Sequence, residues 1–444
     1  MDTLQASLEG QTRSSAPNPN LDSDKTSSSL SNYEQAVQAA EISSLSSLHI
    51  VSPLVYSEVL SEKTGHNIFL KLDALQPSGS FKIRGIGRVC QVAVERYGSS
   101  AHLICSSGGN AGLAAATAAK SLGVRCSVYV PETCEDAVKE TLRGLKAEVI
   151  VAGPVWDTCD QAARKAVEAE NGAVYIHPFE GDDLVDGHSS IVEEIYQQVA
   201  ESSQASKDEG SAAVPDMIVS AVGGGGFLAG IVRGISTRQS QSLSSGGPVL
   251  SPKLVGVQDF GADGFSQSMN AYHDDPIGNA DAHITLPAIT SLATSMGARK
   301  CSALTLKLAR RYARYGTLDD SSIAASGSGS GSQTEAESST RHGKYFTGVV
   351  VEDAISGSAT WQFNRDHQIM VEIACGAALA PAYQPDRLLS KLVESLPRPE
   401  GRKNIVLIAC GGSKIDQAML EKYESSYGLQ EGEEGRIEID GQAI

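Results

Sequence analysis

Short apolar runs alternate with longer Ala- and Glu-rich segments along most of the chain. The run at residues 217–222 has the length and apolar content of a buried strand, and residues 113–120 have the composition of a helix. Strands that alternate with helices favour a parallel sheet with helical crossovers, so the pattern predicts an α/β fold. Further strand-like runs lie at residues 67–72, 126–130, 148–151, 254–257 and 404–409.

Four polar stretches stand outside this alternation. Residues 1–44 are rich in Ser, Asn, Gln and Asp and lack apolar periodicity, which predicts a disordered N-terminal segment. Residues 201–214, 238–252 and 318–343 interrupt the pattern, and the last of them has the Ser-Gly composition of a flexible linker. Because surface loops tolerate added length, we interpret these three stretches as surface insertions.

The alternating region is long enough for two structural units. We predict a small domain at residues 75–180, inserted into a large domain that is built from residues 45–74 and 181–425. Residues 426–444 are predicted to form a polar tail. In a two-domain α/β protein the active site lies in the cleft between the domains, so both domains should contribute residues to one site.

Composition and charge restrict the classes of function. The chain has 444 residues, 41% of them hydrophobic, and its net charge of −17 argues against a nucleic-acid or anionic-membrane partner. No apolar stretch approaches the ~20 residues of a membrane helix, and the N-terminus has no apolar signal core. The eight cysteines show no metal-binding spacing and are typical of reduced intracellular thiols. These features predict a cytoplasmic enzyme that acts on a small molecule.

Lys82 follows a run of small, turn-forming residues and precedes an apolar helix start. A lysine whose pKa is lowered forms a Schiff base with a carbonyl cofactor, so Lys82 is a candidate nucleophile. A single lysine at a helix start is more often a solvent-exposed residue. The interpretation therefore depends on three further motifs along the chain.

The first motif is a Ser- and Gly-rich loop, residues 105–112, between a strand-like run and a predicted helix. Free backbone N–H groups and the helix dipole attract an anion at such a position. An ordinary strand-to-helix turn would have the same spacing, so the residues alone leave both interpretations open.

The second motif is a run of four consecutive glycines, Gly223, Gly224, Gly225 and Gly226, between a predicted strand and a predicted helix. Such a run is unfavourable in chain entropy, but it allows the backbone to wrap around a phosphate and to offer several N–H donors. The run lacks the Gly-x-Gly-x-x-Gly pattern of a dinucleotide site and the Gly-Lys-Ser/Thr of a nucleotide P-loop. We therefore predict a phosphate site of another kind.

The third motif is the apolar run at residues 404–409, together with the Cys-Gly-Gly-Ser sequence that ends it. A continuous apolar run is typical of a buried parallel strand, and ligands of open α/β sheets bind at the carboxyl ends of strands. Cys410 and Ser413 are therefore well placed to contact a ligand. A buried cysteine is more often a packing residue, which remains the alternative for Cys410.

Together these motifs resemble those of the serine/threonine dehydratases, a family of fold type II pyridoxal 5'-phosphate (PLP) enzymes, over roughly residues 46–425. The resemblance implies the tryptophan-synthase-β-like fold, with two lobes that are each a mostly parallel sheet flanked by helices. It implies that Lys82 binds the cofactor covalently, that Phe81 stacks on the cofactor ring, and that Asn110, Cys410 and Ser413 also bind the cofactor. Cys410 is implied to lie opposite the pyridine nitrogen. The implied phosphate cradle is Gly223, Gly224, Gly225 and Gly226, and the implied site of the substrate carboxylate is Ser106, Ser107, Gly109 and Asn110.

One position departs from this family. Its members commonly bind a monovalent cation near the phosphate through backbone carbonyls and a glutamate, and this chain has Gln258 at the position of that glutamate. The resemblance implies that the carbonyls of Gly223, Ala262, Met296 and Ala298 remain as ligands. A neutral amide oxygen attracts a cation less strongly than a carboxylate does, so we expect at most a weak potassium site.

The resemblance implies a PLP-dependent L-serine ammonia-lyase in which Lys82 is the general base and L-serine gives pyruvate and ammonia by α,β-elimination. L-Threonine would give 2-oxobutanoate. Threonine dehydration as the main activity, or serine racemisation, stays open on the same fold, although those enzymes usually carry Ser where this chain has Cys410. A non-catalytic PLP-binding protein is the alternative from a different class. The resemblance also implies a homodimer.

Overall fold

The computed structural model describes residues 47–207, 213–275, 278–279, 281–319, 344–396, 400–428 and 435–444. The strands in this part of the chain are β1 Leu54–Tyr56, β2 Asn67–Lys71, β3 His102–Cys105, β4 Arg125–Val130, β5 Glu148–Val151, β6 Ala173–Tyr175, β7 Met217–Ala221, β8 Lys253–Asp259, β9 Phe346–Val351, β10 Asn404–Ile408, β11 Ile437–Ile439 and β12 Gln442–Ala443. The α-helices are α1 Glu58–Thr64, α2 Lys82–Tyr97, α3 Asn110–Leu122, α4 Asp136–Gly144, α5 Trp156–Ala169, α6 Asp182–Glu201, α7 Gly226–Ser244, α8 Gly264–Asp274, α9 Ala303–Tyr315, α10 Asp353–His367, α11 Ile373–Tyr383, α12 Ser390–Glu394 and α13 Gln417–Ser426. Helical turns also occur at Asp73–Leu75, Gly98–Ser100, Thr294–Met296 and Pro385–Leu389.

The larger sheet has the strand order β1-β2-β10-β7-β8-β9-β11-β12. Its five central strands, from β2 to β9 in that order, are parallel, whereas β1, β11 and β12 pair antiparallel at the edges. Every residue of β10 is buried, as expected for a continuous apolar run covered on both faces. Because β10 and β7 are parallel neighbours, the glycine run that follows β7 and the Cys-Gly-Gly-Ser sequence that follows β10 lie at the same edge of the sheet.

The smaller sheet is parallel throughout, with the order β5-β4-β3-β6. Its strands lie within the segment 102–175 and pack with helices α3 to α5, so the α/β prediction with two mostly parallel sheets is confirmed. Helix α2 also packs closely on α6. A Cβ atom at Gly187 of α6 would lie 2.4 Å from the carbonyl oxygen of Arg84 in α2, so this helix contact requires the glycine.

Two of the polar stretches have described residues that contact the core of the large unit. Ala205 and Ala213, both in the described part of 201–214, are buried in the core of the large unit. Helix α7 continues to Ser244, and the buried side-chain amide of Gln239 donates to the carbonyl oxygen of Leu250 at 2.9 Å. The prediction of surface insertions at these two stretches stays a prediction, with buried residues at Ala205, Ala213 and Gln239.

The C-terminal segment is also structured. Strand β11 pairs antiparallel with β9 and strand β12 pairs with β11, so residues 437–443 extend the large sheet at its edge. The prediction of a polar tail at 426–444 is corrected accordingly, because Ile437 is fully buried against the core. The predicted disordered segment 1–44 and residues 320–343 of the third predicted insertion lie outside the described residues. No helix in the described part of the chain is both long and apolar enough to span a membrane.

Candidate active site

A cavity of about 1090 Å³ is lined by residues that follow strands of both sheets. From the smaller unit and its connections, Lys82 and the loop 107–111 line it. From the larger unit, the four glycines of the run and Cys410 line it. The structure therefore brings together the lysine and the three motifs that the sequence analysis selected.

Lys82 is the first residue of α2, and its side chain is half-buried in the cavity wall. The Nζ atom donates a hydrogen bond to the carbonyl oxygen of Pro178 at 2.6 Å. Burial lowers the pKa of Lys82 from 10.5 to about 8, and the neighbouring thiols of Cys105 and Cys410 oppose this shift. No carboxylate in the described part of the chain is within ion-pair distance of this amine, so an appreciable neutral fraction exists near pH 8.

The position of Lys82 is set by backbone bonds to the end of β10. The N–H of Phe81 donates to the carbonyl oxygen of Cys410 at 3.1 Å, and the N–H of Gly412 donates to the carbonyl oxygen of Gly79 at 3.0 Å. These bonds attach the turn that precedes α2 to the loop after the central strand. The lysine and the Cys410 thiol are consequently held on one rigid framework.

The glycine run presents a set of free backbone donors. The N–H groups from Gly223 to Phe227 have no hydrogen-bond acceptor in the part of the chain that the structure describes. They lie at the N-terminus of α7, a helix of 19 residues, where the helix dipole also favours negative charge. This donor set fits a phosphate group.

Close packing on the other side explains why these residues are glycines. A Cβ atom at Gly224 would lie 2.2 Å from the ring of Phe179, and one at Gly226 would lie 2.3 Å from the carbonyl oxygen of Phe179. Gly225 has a φ of +92°, and a Cβ there would lie 2.6 Å from Thr305. Substitution of Gly224 would therefore disturb packing as well as phosphate binding, so it does not test the cradle alone.

Asn110 lines the cavity and connects the two units through its side chain. Its side-chain oxygen accepts hydrogen bonds from the N–H and the hydroxyl of Ser413, both at 3.0 Å. Its side-chain nitrogen donates to Oε1 of Glu372 at 3.2 Å. Ser413 is exposed and is not among the residues that line the cavity, and its cofactor contact stays a prediction.

Glu372 is a site residue that the sequence analysis missed. This buried carboxylate also accepts hydrogen bonds from the backbone N–H of Lys414, at 2.8 Å, and from the hydroxyl of Ser295. It lines the cavity together with Asn110. The available signal was an acidic residue directly before the entirely apolar segment of α11, a position where burial requires a specific partner.

The loop after β3 divides into two parts with different roles. Ser107 and Gly109 line the cavity, and the Ser107 hydroxyl accepts a hydrogen bond from the N–H of Gly109 at 3.3 Å. Ser106 is fully buried, and its hydroxyl bonds to Asp160 at 3.0 Å and to the Tyr175 hydroxyl at 2.7 Å. The Ser106 hydroxyl is therefore engaged by Asp160 and Tyr175, and the assignment of Ser106 to the carboxylate site stays a prediction.

Phe81 and Cys410 form part of the cavity wall. The Phe81 ring lies 4.3 Å from the ring of Phe227 and 5.4 Å from that of His188, measured between centroids. A hydrogen bond with Cys375, together with burial, raises the pKa of the Cys410 thiol well above its usual range. Cys410 is thus a neutral thiol at the carboxyl end of β10.

Hydrogen bonds already reach some of the predicted cation ligands, and the weak cation site stays a prediction. Gln258 donates from Nε2 to the carbonyl oxygens of Val222, at 2.8 Å, and Ala262, at 2.9 Å. The carbonyl oxygen of Met296 accepts from the N–H of Ala298 at 2.7 Å. Two of the four predicted carbonyl ligands therefore already have a hydrogen-bond donor, and one of these donors is the residue that replaces the expected glutamate. Within the described residues there is also no cluster of three or more His, Cys, Asp or Glu that could hold a metal ion.

Comparison with known proteins agrees with this geometry. The family described as pyridoxal-phosphate-dependent enzymes matches residues 45–327. The L-serine dehydratase/L-threonine deaminase of Mus musculus is 33% identical over 384 residues, which cover 86% of this chain and 97% of that protein. The protein of the same name from Homo sapiens is 32% identical over 386 residues, which cover 86% of this chain and 96% of that protein.

Solved structures give the same picture of the fold. A fungal L-serine ammonia-lyase from Rhizomucor miehei is similar with a TM-score of 0.66 and 26% identity, and the match covers 86% of this chain and 100% of that chain. Maize serine racemase is similar with a TM-score of 0.61 and 20% identity, over 84% of this chain and 92% of that chain. The second match, at its lower identity, supports the fold alone.

Proposed function

We propose that this chain, which belongs to the family of pyridoxal-phosphate-dependent enzymes, is an L-serine ammonia-lyase that also accepts L-threonine. The products would be pyruvate and ammonia from L-serine, and 2-oxobutanoate and ammonia from L-threonine. The names of the similar proteins from mouse and man support this substrate class. The observation that carries the proposal is the pairing, in one cavity, of an amine with a lowered pKa and an array of free N–H donors.

The residues of the cavity fit PLP. The amine of Lys82 would bind the cofactor's carbonyl carbon covalently, and the N–H groups from Gly223 to Phe227 would hold its phosphate. Phe81 would provide an apolar contact for the ring, and the neutral thiol of Cys410 would face the ring nitrogen. When bound, the cofactor supplies an electron sink for the α-carbon of an amino acid.

The chain's own groups would orient the substrate and move its proton. Ser107, Gly109 and Asn110 lie at the N-terminus of α3, where the helix dipole favours the substrate carboxylate. Lys82 Nζ would accept the α-proton as general base, and its pKa of about 8 suits proton transfer near neutral pH. The α-proton and the β-hydroxyl group would leave together as water, and hydrolysis of the enamine that results would give the keto acid and ammonia.

Two other functions make different use of the same site. A racemase would return the α-proton on the opposite face, and a threonine dehydratase would need room for one more methyl group. A neutral thiol at Cys410 does not stabilise positive charge on the ring nitrogen as a carboxylate would, but the Ser that racemases usually carry is neutral as well, so the D-serine assay decides between the two activities. Discrimination by one methylene group is only about 1–3 kcal/mol, so both L-serine and L-threonine are expected as substrates.

The test is an assay of keto-acid and ammonia release from L-serine, L-threonine and their D-isomers. We expect turnover of both L-isomers, and loss of activity by about 10³-fold or more in Lys82→Ala. Lys120→Ala, an exposed lysine on α3, is the matched control and should retain activity. Binding of PLP with no keto-acid release would support a non-catalytic binding protein, and formation of D-serine as the main product would support a racemase.

We also propose, from the family resemblance, a cytoplasmic homodimer that acts in amino-acid catabolism and provides pyruvate for gluconeogenesis. Sedimentation equilibrium of the full chain tests the oligomeric state. A single species with the mass of one chain would contradict the dimer.

A further inference from the structure

Gln258 connects three elements beside the glycine run. It lies in β8, and its side chain is almost completely buried. Its nitrogen donates to the carbonyl oxygens of Val222 and Ala262, at 2.8 and 2.9 Å, and its oxygen accepts from the N–H of Ser266 at 2.8 Å. Both amide protons and the oxygen are therefore used, which links the end of β7, the turn after β8 and the first turn of α8.

A carboxylate at this position would behave differently. It would face the carbonyl oxygens of Val222 and Ala262 with negative charge, and a bridging cation would be needed to hold the three oxygen groups together. The amide supplies two N–H donors at the same place and needs no ion. We infer that the side-chain amide of Gln258 replaces the monovalent cation of the resembled family and positions the glycine run without potassium.

The positioning effect follows from peptide geometry. The carbonyl group of Val222 and the N–H of Gly223 belong to one planar trans peptide, so they point in opposite directions. A hydrogen bond that fixes the Val222 carbonyl towards Gln258 therefore fixes the Gly223 N–H on the other side. Gly223 lines the cavity, and its N–H has no other acceptor in the described part of the chain. Gln258 is thus a positioning residue for the first donor of the proposed phosphate cradle.

The adjacent acid does not restore a cation site. Asp259 is fully buried and accepts a hydrogen bond from the hydroxyl of Ser356 in α10. Burial raises the pKa of Asp259 well above its usual range, which disfavours the charged form that a cation would need. It contacts α10, whereas the carbonyl groups of Val222 and Ala262 are bound by Gln258.

The inference rests on the proposed phosphate role of the glycine run, so the experiment measures two quantities that can fail separately. The melting temperature of the cofactor-free protein and the Kd for PLP are determined in potassium chloride and in tetramethylammonium chloride at equal ionic strength. For wild type we expect the same values in both salts. Failure of wild type to bind PLP would contradict the proposed function, while the melting temperatures would still decide the cation question.

Three variants separate the amide from the ion. Gln258→Glu should melt lower and bind PLP about tenfold more weakly in tetramethylammonium, and potassium should restore both quantities. Gln258→Met, which has similar length but no donors, should lose a similar amount in both salts without restoration. Gln197→Glu makes the same charge change on the exposed face of α6 and should show no dependence on potassium.

The outcomes that overturn the inference are distinct. A saturable potassium effect on wild type would show that a cation binds in spite of the amide. Normal PLP affinity in Gln258→Met would remove the positioning role. Potassium-independent behaviour of Gln258→Glu would show that the carbonyl oxygens of Val222 and Ala262 are not arranged as cation ligands. If Gln258→Glu does not fold in either salt, the comparison of wild type with Gln258→Met still decides the positioning role.

Discussion

Two cationic side chains on the first turn of α2 have opposite surroundings. Arg84 is fully buried between two carboxylates, with Nε 2.6 Å from Asp73 and one terminal nitrogen 2.6 Å from Glu194. Lys82, two residues earlier, faces the cavity and has no carboxylate partner among the described residues. Burial would lower the pKa of the Arg84 guanidinium, but the two carboxylates raise it overall, whereas burial lowers the pKa of Lys82 to about 8. One helix turn therefore carries both a permanently charged structural group and an amine suited to chemistry.

The charged and polar side chains around Arg84 form hydrogen bonds and ion pairs with one another. Lys71 contacts Glu194 at 2.6 Å, and the hydroxyl of Ser52 donates to Asp73 at 2.6 Å. Burial alone would raise the pKa of Asp73, but Arg84 lowers it to about 2. The cluster joins β2, the turn after it, α2 and α6. The cluster fixes helix α2, which carries Lys82. The Lys82 amine has no carboxylate partner among the described residues.

The largest effect on stability is expected for Arg84→Met. The substitution leaves Asp73 and Glu194 buried with too few partners, so the free energy of unfolding should fall by about 3–5 kcal/mol. Arg88→Met, one turn further along α2, removes an exposed pair with Glu95 and should change it by about 0–1 kcal/mol. Denaturant unfolding of both variants at pH 7 is the measurement. Equal losses in the two variants would contradict the structural role of the cluster.

The effect of Arg84→Met should also depend on pH. The carboxyl pKa values of Asp73 and Glu194 are lowered in the folded protein, so the stabilisation that they contribute is complete above their unfolded pKa values of about 4. It is lost as the pH falls towards the folded value of about 2 for Asp73. The difference between wild type and Arg84→Met should therefore shrink below about pH 4.

Lys82→Met should have a smaller effect, and in the opposite direction. The pKa of Lys82 is lowered on folding, so the unfolded chain binds more protons and the charged amine destabilises the cofactor-free protein below about pH 8. The variant should be more stable than wild type at pH 7 by roughly 1–3 kcal/mol, while losing activity. The gain should disappear as the pH rises from about 8 to 10.5, the range between the two pKa values.

Lys71→Met is the matched control for this prediction. Burial also lowers the pKa of Lys71 to about 8, but its amine contacts Glu194 and donates to the carbonyl oxygen of Ser52 at 2.7 Å. Removal of Lys71 takes a donor from these groups, so we expect no stabilisation at pH 7. If Lys71→Met were stabilised at pH 7 and Lys82→Met were unchanged, the result would contradict the different roles assigned to the two lysines.

This contrast also marks how far the sequence can predict the site. Lys82 and the glycine run have local signals: turn-forming neighbours, flanking apolar runs and a helix start. The strand periodicity likewise predicts β7 and β10 correctly, because burial of a parallel strand leaves a continuous apolar run. Interactions of this local kind are readable without a structure.

Contacts between distant segments carry no such signal. Arg84 and Glu194 are separated by 110 positions, and Asn110 and Glu372 by 262. The residues next to Glu372 in the sequence do not indicate which N–H or O–H groups will donate to its carboxylate. The direction of the Ser106 side chain is likewise set by Asp160 and Tyr175, which reach it from α5 and β6. Such partners are chosen by the packing of whole elements rather than by local sequence.

The smallest expected effect separates the two serines of the loop after β3. In Ser106→Ala, Asp160 keeps its hydrogen bond from Tyr175 and its ion pair with Arg164, so the free energy of unfolding should fall by only about 1 kcal/mol. Because the Ser106 hydroxyl does not face the cavity, the KM for L-serine should change by less than about twofold. Ser107→Ala removes a hydroxyl that lines the cavity and should raise KM by about tenfold, with little change in stability. Steady-state kinetics give the KM for L-serine of each variant, and thermal melting gives its change in stability. A large rise of KM in Ser106→Ala would mean that this hydroxyl leaves Asp160 and turns to the substrate, and the sequence-based assignment of Ser106 would then hold in the bound state.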